Sequence, residues 1–256
     1  MRSSPFVALI VVVSTCLAAC QPGLGRQVSA NDFAFAFTQR DERTIRALST
    51  TGLRAAVWDR LEGAQEFRRI AAILGHGQDG EVVDSQFRDR EAVIQYRTPG
   101  KSQYRLYLLY QDEDWRVDDV LREQAPGVFV SMRRQAEAVL AVRDFRRALE
   151  RRDVRLLVEA SSASLTRDAW QGADAALLGA PVLGRVVSET DGDLGEVFEP
   201  RHGGVAARIG ASGLAYVFYF VKERGRLVVD DLALPGSDKP LRALVREGRT
   251  RTRTED

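Results

Sequence analysis

The sequence predicts an α+β fold written twice in tandem, with helices first and an antiparallel sheet after them in each half. Three observations carry this. The chain repeats itself at a fixed offset of 112 residues. Each repeat opens with apolar residues at helical spacing, and each closes in short strands separated by polar turns.

At that offset Asp32-Phe33 falls on Asp144-Phe145, and Arg40-Asp41 on Arg152-Asp153. Leu53 falls on Leu165, Trp58 on Trp170, Asp79-Gly80 on Asp191-Gly192, and Val117-Asp118-Asp119 on Val229-Asp230-Asp231. Between residues 32 and 121 there are 18 identities in 90 ungapped positions, against roughly seven expected by chance for such a composition. Duplication of one domain is the simplest account.

Each copy begins with a helix. Phe33 and Phe37 stand four apart, as do Phe145 and Leu149, so each pair shares a helix face. Asp41 and Asp153 then start a second, short helix carrying Ile45 and Leu48, or Leu157. An aspartate before an apolar turn is an N-cap, since its carboxylate accepts a free backbone N–H of the first turn. A third helical stretch carries Leu53, Val57, Trp58 and Leu61; its counterpart carries Leu165 and Trp170. Both tryptophans are expected in the core.

The strands follow. Asp79-Gly80 and Asp191-Gly192 are turn dipeptides. Val93, Ile94 and Tyr96 match residues 205–209, and the strands Tyr104 to Tyr110 and Trp115 to Leu121 match Tyr216 to Lys222 and Leu227 to Leu232. Helices followed by a meander make an α+β domain. The predicted boundaries are 28–122 and 135–235. Residues 123–134, with Pro126-Gly127, read as a linker, and 236–256 as a polar tail. That arginine-rich tail is expected to begin as a short helix. It is read first as a solvated segment and second as a contact for anionic lipid or cell-wall polymer.

Ahead of the first copy, Arg2 is followed by the apolar run Phe6 to Val13 and then Leu17-Ala18-Ala19-Cys20. A membrane-spanning helix needs about twenty apolar residues, and this run is shorter, so it reads as a secretory signal over residues 1–19. The tetrad resembles the lipobox of bacterial lipoproteins. That resemblance implies cleavage before Cys20, lipidation of its thiol, and a tether over 20–27. The partner it implies is membrane lipid, reached through an acylated N-terminus that carries palmitate-like chains. Gln21 follows the cysteine where an aspartate commonly retains lipoproteins at the inner membrane. The resemblance therefore implies the cell membrane or, in a cell that has one, the outer membrane.

The bulk numbers exclude several chemistries. The chain has 256 residues, two cysteines and two histidines. With Cys16 in the signal and Cys20 acylated, no thiol is left for a disulfide, a nucleophile or a metal. His76 and His202 alone cannot build a metal site. Loss of the signal balances 36 basic residues against 36 acidic ones, which argues against nucleic acid as partner. There is no phosphate loop and no Ser-His-Asp spacing, so no cofactor is expected.

The opening segment Asp144-Phe145-Arg146-Arg147-Ala148-Leu149-Glu150-Arg151-Arg152-Asp153 and the closing strand Trp115-Arg116-Val117-Asp118-Asp119-Val120 carry a further resemblance. Both copies look like members of the nuclear transport factor 2-like superfamily, the cystatin-like α+β cone. This implies two cone-shaped domains in which N-terminal helices close one side of a curved antiparallel sheet. The superfamily includes isomerases, dehydratases and hydrolases as well as binding and assembly domains without activity.

Enzymes of that kind place an acid in the cone with a tyrosine or second acid to polarise the substrate. The candidates here are Asp119 and Tyr104, with Asp231 and Tyr216 in the second copy. Asp118, Tyr107, Asp230 and Tyr219 stand beside them. Neighbouring residues on a strand face opposite ways. Only one aspartate of each pair can look inward, and strict alternation puts Asp119 with Trp115 and Val117.

Two functions follow. One is an exported, membrane-anchored binding or assembly module of the cell envelope, with an envelope protein or an apolar small molecule as partner. The other is a small-molecule isomerase, dehydratase or hydrolase using a buried Asp and Tyr in the cone. Both faces of the longest strands are apolar: Leu106 and Leu108 oppose Tyr107 and Leu109, and Phe218 and Phe220 oppose Val217, Tyr219 and Val221. Water would meet a large apolar patch, so the sheets are expected to pair within the chain or in a homodimer.

Overall fold

The computed structural model describes residues 22–75, 80–98, 100, 102–190, 194–198, 204–209 and 215–254. Cys20 with the rest of its tetrad, Asp79, Asp191-Gly192, His76 and His202 lie outside these. The chain divides into two compact units, Met1–Arg133 and Arg134–Asp256. Each is α+β with one antiparallel sheet.

In the first unit, α1 (Pro22–Gln39), α2 (Glu42–Leu48) and α3 (Thr51–Ala56) come first. A single 3-10 turn at Trp58–Arg60 and α4 (Ala64–Leu74) complete the helices. The sheet follows as a five-stranded meander: β1 (Glu81–Arg88), β2 (Glu91–Arg97), β3 (Gln103–Gln111), β4 (Asp114–Ala125) and β5 (Val128–Ser131). Helix α5 (Met132–Arg151) follows, and the boundary between the units falls in its first turn, after Arg133. After it come α6 (Val154–Ala160), α7 (Ala163–Leu165), a π-helical turn at Thr166–Trp170, α8 (Ala175–Leu178) and α9 (Pro181–Glu189). Strands β6 (Leu194–Phe198), β7 (Val205–Ile209), β8 (Tyr216–Glu223) and β9 (Arg226–Ala233) form a four-stranded meander. Helix α10 (Leu241–Thr254) follows the last strand.

The "Arg-Asp" that ends each opening helix has a physical reason. Arg40 and Arg152 adopt left-handed backbone, φ 55° and 53°. The amide of Asp41 donates to the Ala36 carbonyl at 2.9 Å, and that of Asp153 to the Ala148 carbonyl at 3.1 Å. These bonds close a Schellman motif and satisfy orphan helix carbonyls. The same aspartate immediately caps the following helix. Asp41 accepts from the Thr44 amide at 3.1 Å, and Asp153 from those of Arg155 and Leu156 at 2.9 and 3.2 Å. A non-glycine residue in left-handed backbone costs roughly 1–2 kcal/mol. Arg152→Gly should therefore raise the unfolding free energy by up to about 1 kcal/mol; denaturant titration showing a loss would contradict this backbone account.

The repeated residues make the same bonds in both units. The indole of Trp58 donates to Ser49 Oγ at 3.0 Å, and that of Trp170 to Ser161 Oγ at 2.8 Å. The amide of Thr50 donates to the Val117 carbonyl at 2.9 Å, and that of Ser162 to the Val229 carbonyl at 2.8 Å. Phe33, Phe145, Trp58 and Trp170 are wholly buried. In the second unit Phe145 meets Phe218 edge to face, with centroids 6.3 Å apart. The core lies between the helices and one sheet face: Tyr104, Leu106, Leu108, Val117 and Val120, matched by Tyr216, Phe218, Phe220, Val229 and Leu232. On the opposite face Tyr107, Leu109, Val217, Tyr219 and Val221 are half-buried.

Four expectations need correction. The tether is helical from Pro22, where α1 begins. The linker over 123–134 is structured: β4 runs on to Ala125, Pro126-Gly127 turns the chain, β5 adds a strand, and α5 starts at Met132. The tail is not merely polar, because α10 sends Leu241 and Val245 into the core of the second unit. The third helical stretch is two pieces, α3 and the turn at Trp58. Helix α4, with Phe67, Ile70 and Leu74 buried on one face, follows it unanticipated.

Candidate functional site

The two aspartate pairs sit at a β-bulge, and the bulge decides what they do. Tyr107 pairs with Asp119 on β4, yet the next residue, Leu108, pairs with Val117. Asp118 is therefore the extra residue. A bulge resets the alternation of the strand, so Val117 and Val120 share the core face although they are three apart. The second unit repeats this: Tyr219 pairs with Asp231, and Phe220 with Val229.

Asp119 consequently does not share a face with Trp115 and Val117. It stands across from Tyr107, on the face opposite Tyr104. Asp231 stands across from Tyr219, on the face opposite Tyr216. Strict alternation fails here because one residue is inserted. The acid and tyrosine expected to work together in each cone are held on opposite sides of a sheet.

Each carboxylate has structural partners. Asp118 accepts from Thr50 Oγ1 at 2.6 Å and from Arg133 Nη1 at 2.7 Å. Thr50 in turn caps α3, accepting from the Leu53 amide at 3.0 Å. Asp119 accepts from the Ser131 hydroxyl at 2.5 Å, the Arg133 amide at 3.0 Å and the Val120 amide at 2.7 Å. The Arg133 amide belongs to the first turn of α5, so Asp119 caps that helix from a neighbouring strand. In the second unit Asp230 accepts from Ser162 Oγ at 2.6 Å, and Ser162 caps α7 through the Leu165 amide at 2.9 Å. Asp231 accepts from the amides of Leu232 at 2.8 Å and Arg242 at 3.3 Å. Arg242 also donates to the Asp230 carbonyl at 2.7 Å and to Asp168 at 3.3 Å. Arg133 reaches the Asp118 carbonyl in the same way, at 3.3 Å.

Each bulge thus holds the preceding helical cap with its first aspartate and the first turn of the following helix with its second. Met132-Arg133 and Leu241-Arg242 are the same device at an offset of 109 residues instead of 112. The ungapped comparison misses this because the intervening loop is three residues shorter, 112 less 109.

Burial pushes the Asp119 carboxyl up, against the pull of Ser131 and the amides of Arg133 and Val120. Burial also pushes Asp231 up, against the amides of Leu232 and Arg242. A carboxyl raised in the folded state binds its proton more tightly there than in the unfolded chain. Its contribution to stability is complete below the unfolded value and is lost as pH rises through the folded one. Comparing the native chain with Asp119→Asn at a series of pH values should show the native chain gaining relative stability as pH falls from neutral toward 3.8, the unshifted value. A gap that widens against the native chain on acidification would refute this.

Tyr216, Tyr107 and Tyr96 each donate to an acceptor as well. Tyr216 is buried and donates to Glu189 Oε2 at 2.6 Å; burial first, then Glu189, pushes its hydroxyl up to about 12. Tyr107 is pushed up to about 12 by burial and by its bond to Glu91. Tyr96 donates to Asn31 at 3.1 Å. Such hydroxyls stay protonated at neutral pH. Among the described residues no group of three His, Cys, Asp or Glu is placed to hold a metal ion. Among them, also, no helix is long and apolar enough to cross a membrane.

Compared with protein-family models, curated proteins and solved structures, the chain matches none.

Proposed function

We propose that the protein is an exported, lipid-anchored module of the bacterial cell envelope that binds or assembles without catalysing a reaction. We read its units as two copies of one cone-shaped domain of the nuclear transport factor 2-like kind. The observation that carries the non-catalytic reading is the commitment of both aspartate pairs. Asp118 with Asp119, and Asp230 with Asp231, hold helix caps and arginines. General acid–base catalysis needs a carboxyl within hydrogen-bond reach of the reacting group, and these are spent on the scaffold. Duplication supports the same reading, since both copies keep the hydroxyl bond to the first aspartate and the helix amide on the second.

The envelope address rests on Leu17-Ala18-Ala19-Cys20. Stable anchoring takes more than one acyl chain, and a lipidated cysteine supplies that. The half-buried faces with Tyr107 and Tyr219 are where we place pairing between sheets, in one chain or in a homodimer. The partner is an envelope protein or an apolar small molecule. The test is Cys20→Ser in the native host. Labelled palmitate should no longer enter the protein, and the chain should leave the membrane fraction, the outer membrane where there is one. Label that persists in the Cys20→Ser variant would overturn the anchor.

A further inference from the structure

We propose that the outer face of the first sheet docks an acidic segment of a partner protein and takes its carboxylate on Arg105. Arg105 lies on β3, opposite Gln95 of β2 and Leu121 of β4. Alternation along β3 puts it on the face of Tyr107, away from the helices. Two neighbours hold it there. Its Nε donates to Gln95 Oε1 at 3.2 Å, and Gln95 in turn donates to Gln103. Its guanidinium carbon stands 3.7 Å from the centre of the Phe129 ring, on β5. The ring covers one side of the guanidinium plane and Gln95 takes one edge, which leaves the two terminal nitrogens for a ligand. Among the described residues no carboxylate pairs with them.

Elsewhere in the first unit, held arginines are matched by acids: Arg133 by Asp118, and Arg46 by Glu42 and Asp59. The acids that share the face of Arg105 are engaged already. Glu91 is bonded by Tyr107, Asp119 by Ser131 and the Arg133 amide, and Glu123 by the Gly127 amide at 2.8 Å. The scaffold does not require the arrangement either. At the offset of 112 Arg105 falls on Val217, which pairs with Arg208, and Asp238 stands 109 residues after Phe129. The second unit thus builds the same helices and bulge without it. A guanidinium held in this way presents a fork that matches a carboxylate. Val93, Tyr107 and Leu121 share the face and are half-buried, so the segment that fits carries an acid between apolar residues. A membrane surface calls for a cluster of free basic groups; here one held guanidinium stands amid apolar side chains. The site rests on the reading of the protein as an envelope binding module. It gives the first sheet's face to a partner segment and not to a second sheet.

The test places the photo-crosslinker p-benzoylphenylalanine at Leu121, across the sheet from Arg105, in the full chain in its native host. Irradiation should give a protein adduct, and mass spectrometry should find an aspartate or glutamate in the crosslinked peptide. Arg105→Gln should lower the yield about tenfold, the loss of a charge-assisted hydrogen bond. Gln95→Met frees the guanidinium without removing its charge and should lower the yield by less. Circular dichroism checks the fold of each variant, and Gln95→Met keeps the comparison decisive if Arg105→Gln unfolds. No adduct, or a protein adduct that Arg105→Gln leaves unchanged, would overturn the site. An adduct with phospholipid, or one joining two copies of this chain, would overturn it too and give the face to a membrane or to sheet pairing. Palmitate labelling at Cys20 is read in the same cells. Label without an adduct would refute the docking site and leave the envelope anchor standing; an adduct without label would do the reverse.

Discussion

A chain ended after Gly236 will lose its second unit. The deletion removes Leu241 and Val245, which are 0% and 2% exposed in that core. Losing a buried aliphatic side chain costs about 2–5 kcal/mol. The deletion also removes Arg242, leaving Asp168, Asp230 and Asp231 without the cation they surround. Removing the partner of a partly buried carboxylate costs about 1–3 kcal/mol. Even one of each approaches the roughly 5–15 kcal/mol that holds a typical domain together. Limited proteolysis should cut the truncated chain throughout residues 134–236 under conditions in which the full chain resists. Equal resistance would mean that α10 is dispensable. By the same reasoning a first unit expressed alone needs the chain through Arg133, because Ser131 and Arg133 bind Asp119.

Trp170→Ala is the point substitution expected to cost most. Its side chain is wholly buried, stands 6.0 Å from the Phe145 ring, and donates to Ser161. Truncating such a residue costs about 3–5 kcal/mol, from lost transfer energy and the cavity left behind. Trp170→Phe separates the terms. It keeps most of the ring volume and loses only the indole bond, leaving Ser161 without that donor, for about 1–2 kcal/mol. Trp58→Ala should act alike on the first unit, where Trp58 packs 6.1 Å from Phe37 and 5.7 Å from Phe67. Denaturant unfolding followed by near-ultraviolet circular dichroism measures both. A Trp170→Ala chain that unfolds at the native midpoint would show that the indole is not a core element.

Much of the fold is legible in the sequence because its signals are periodic. The opening helices, the Asp41 and Asp153 caps, both tryptophans and strands β2 to β4 follow from spacing and turn chemistry. Strand β1 does not: its residues are mostly polar and it lies exposed at the sheet edge, so no alternation marks it. Helix α4 shows Phe67, Ile70 and Leu74 at helical spacing and was open to the same argument as α1. The candidate site was half legible. The residues that matter, the paired aspartates, stand out through the repeat. Their orientation does not, because a bulge has no signature beyond the pair itself, and period-two counting across it inverts the answer. Arg133 and Arg242 escaped because they lie past the end of the ungapped match, where a shorter loop shifts the register.

The central claim is that the aspartate pairs tie the closing strand of each unit to the helical cap before it and to the helix turn after it. The most direct measurement is a double-mutant cycle between Asp118 and Arg133, joined at 2.7 Å. Asp118→Ala, Arg133→Ala and the double variant are unfolded in denaturant alongside the native chain. Residues that share a bond are coupled, and the account predicts a coupling energy of about 1–3 kcal/mol. Losses that simply add would contradict it, leaving the carboxylates without the structural duty assigned to them.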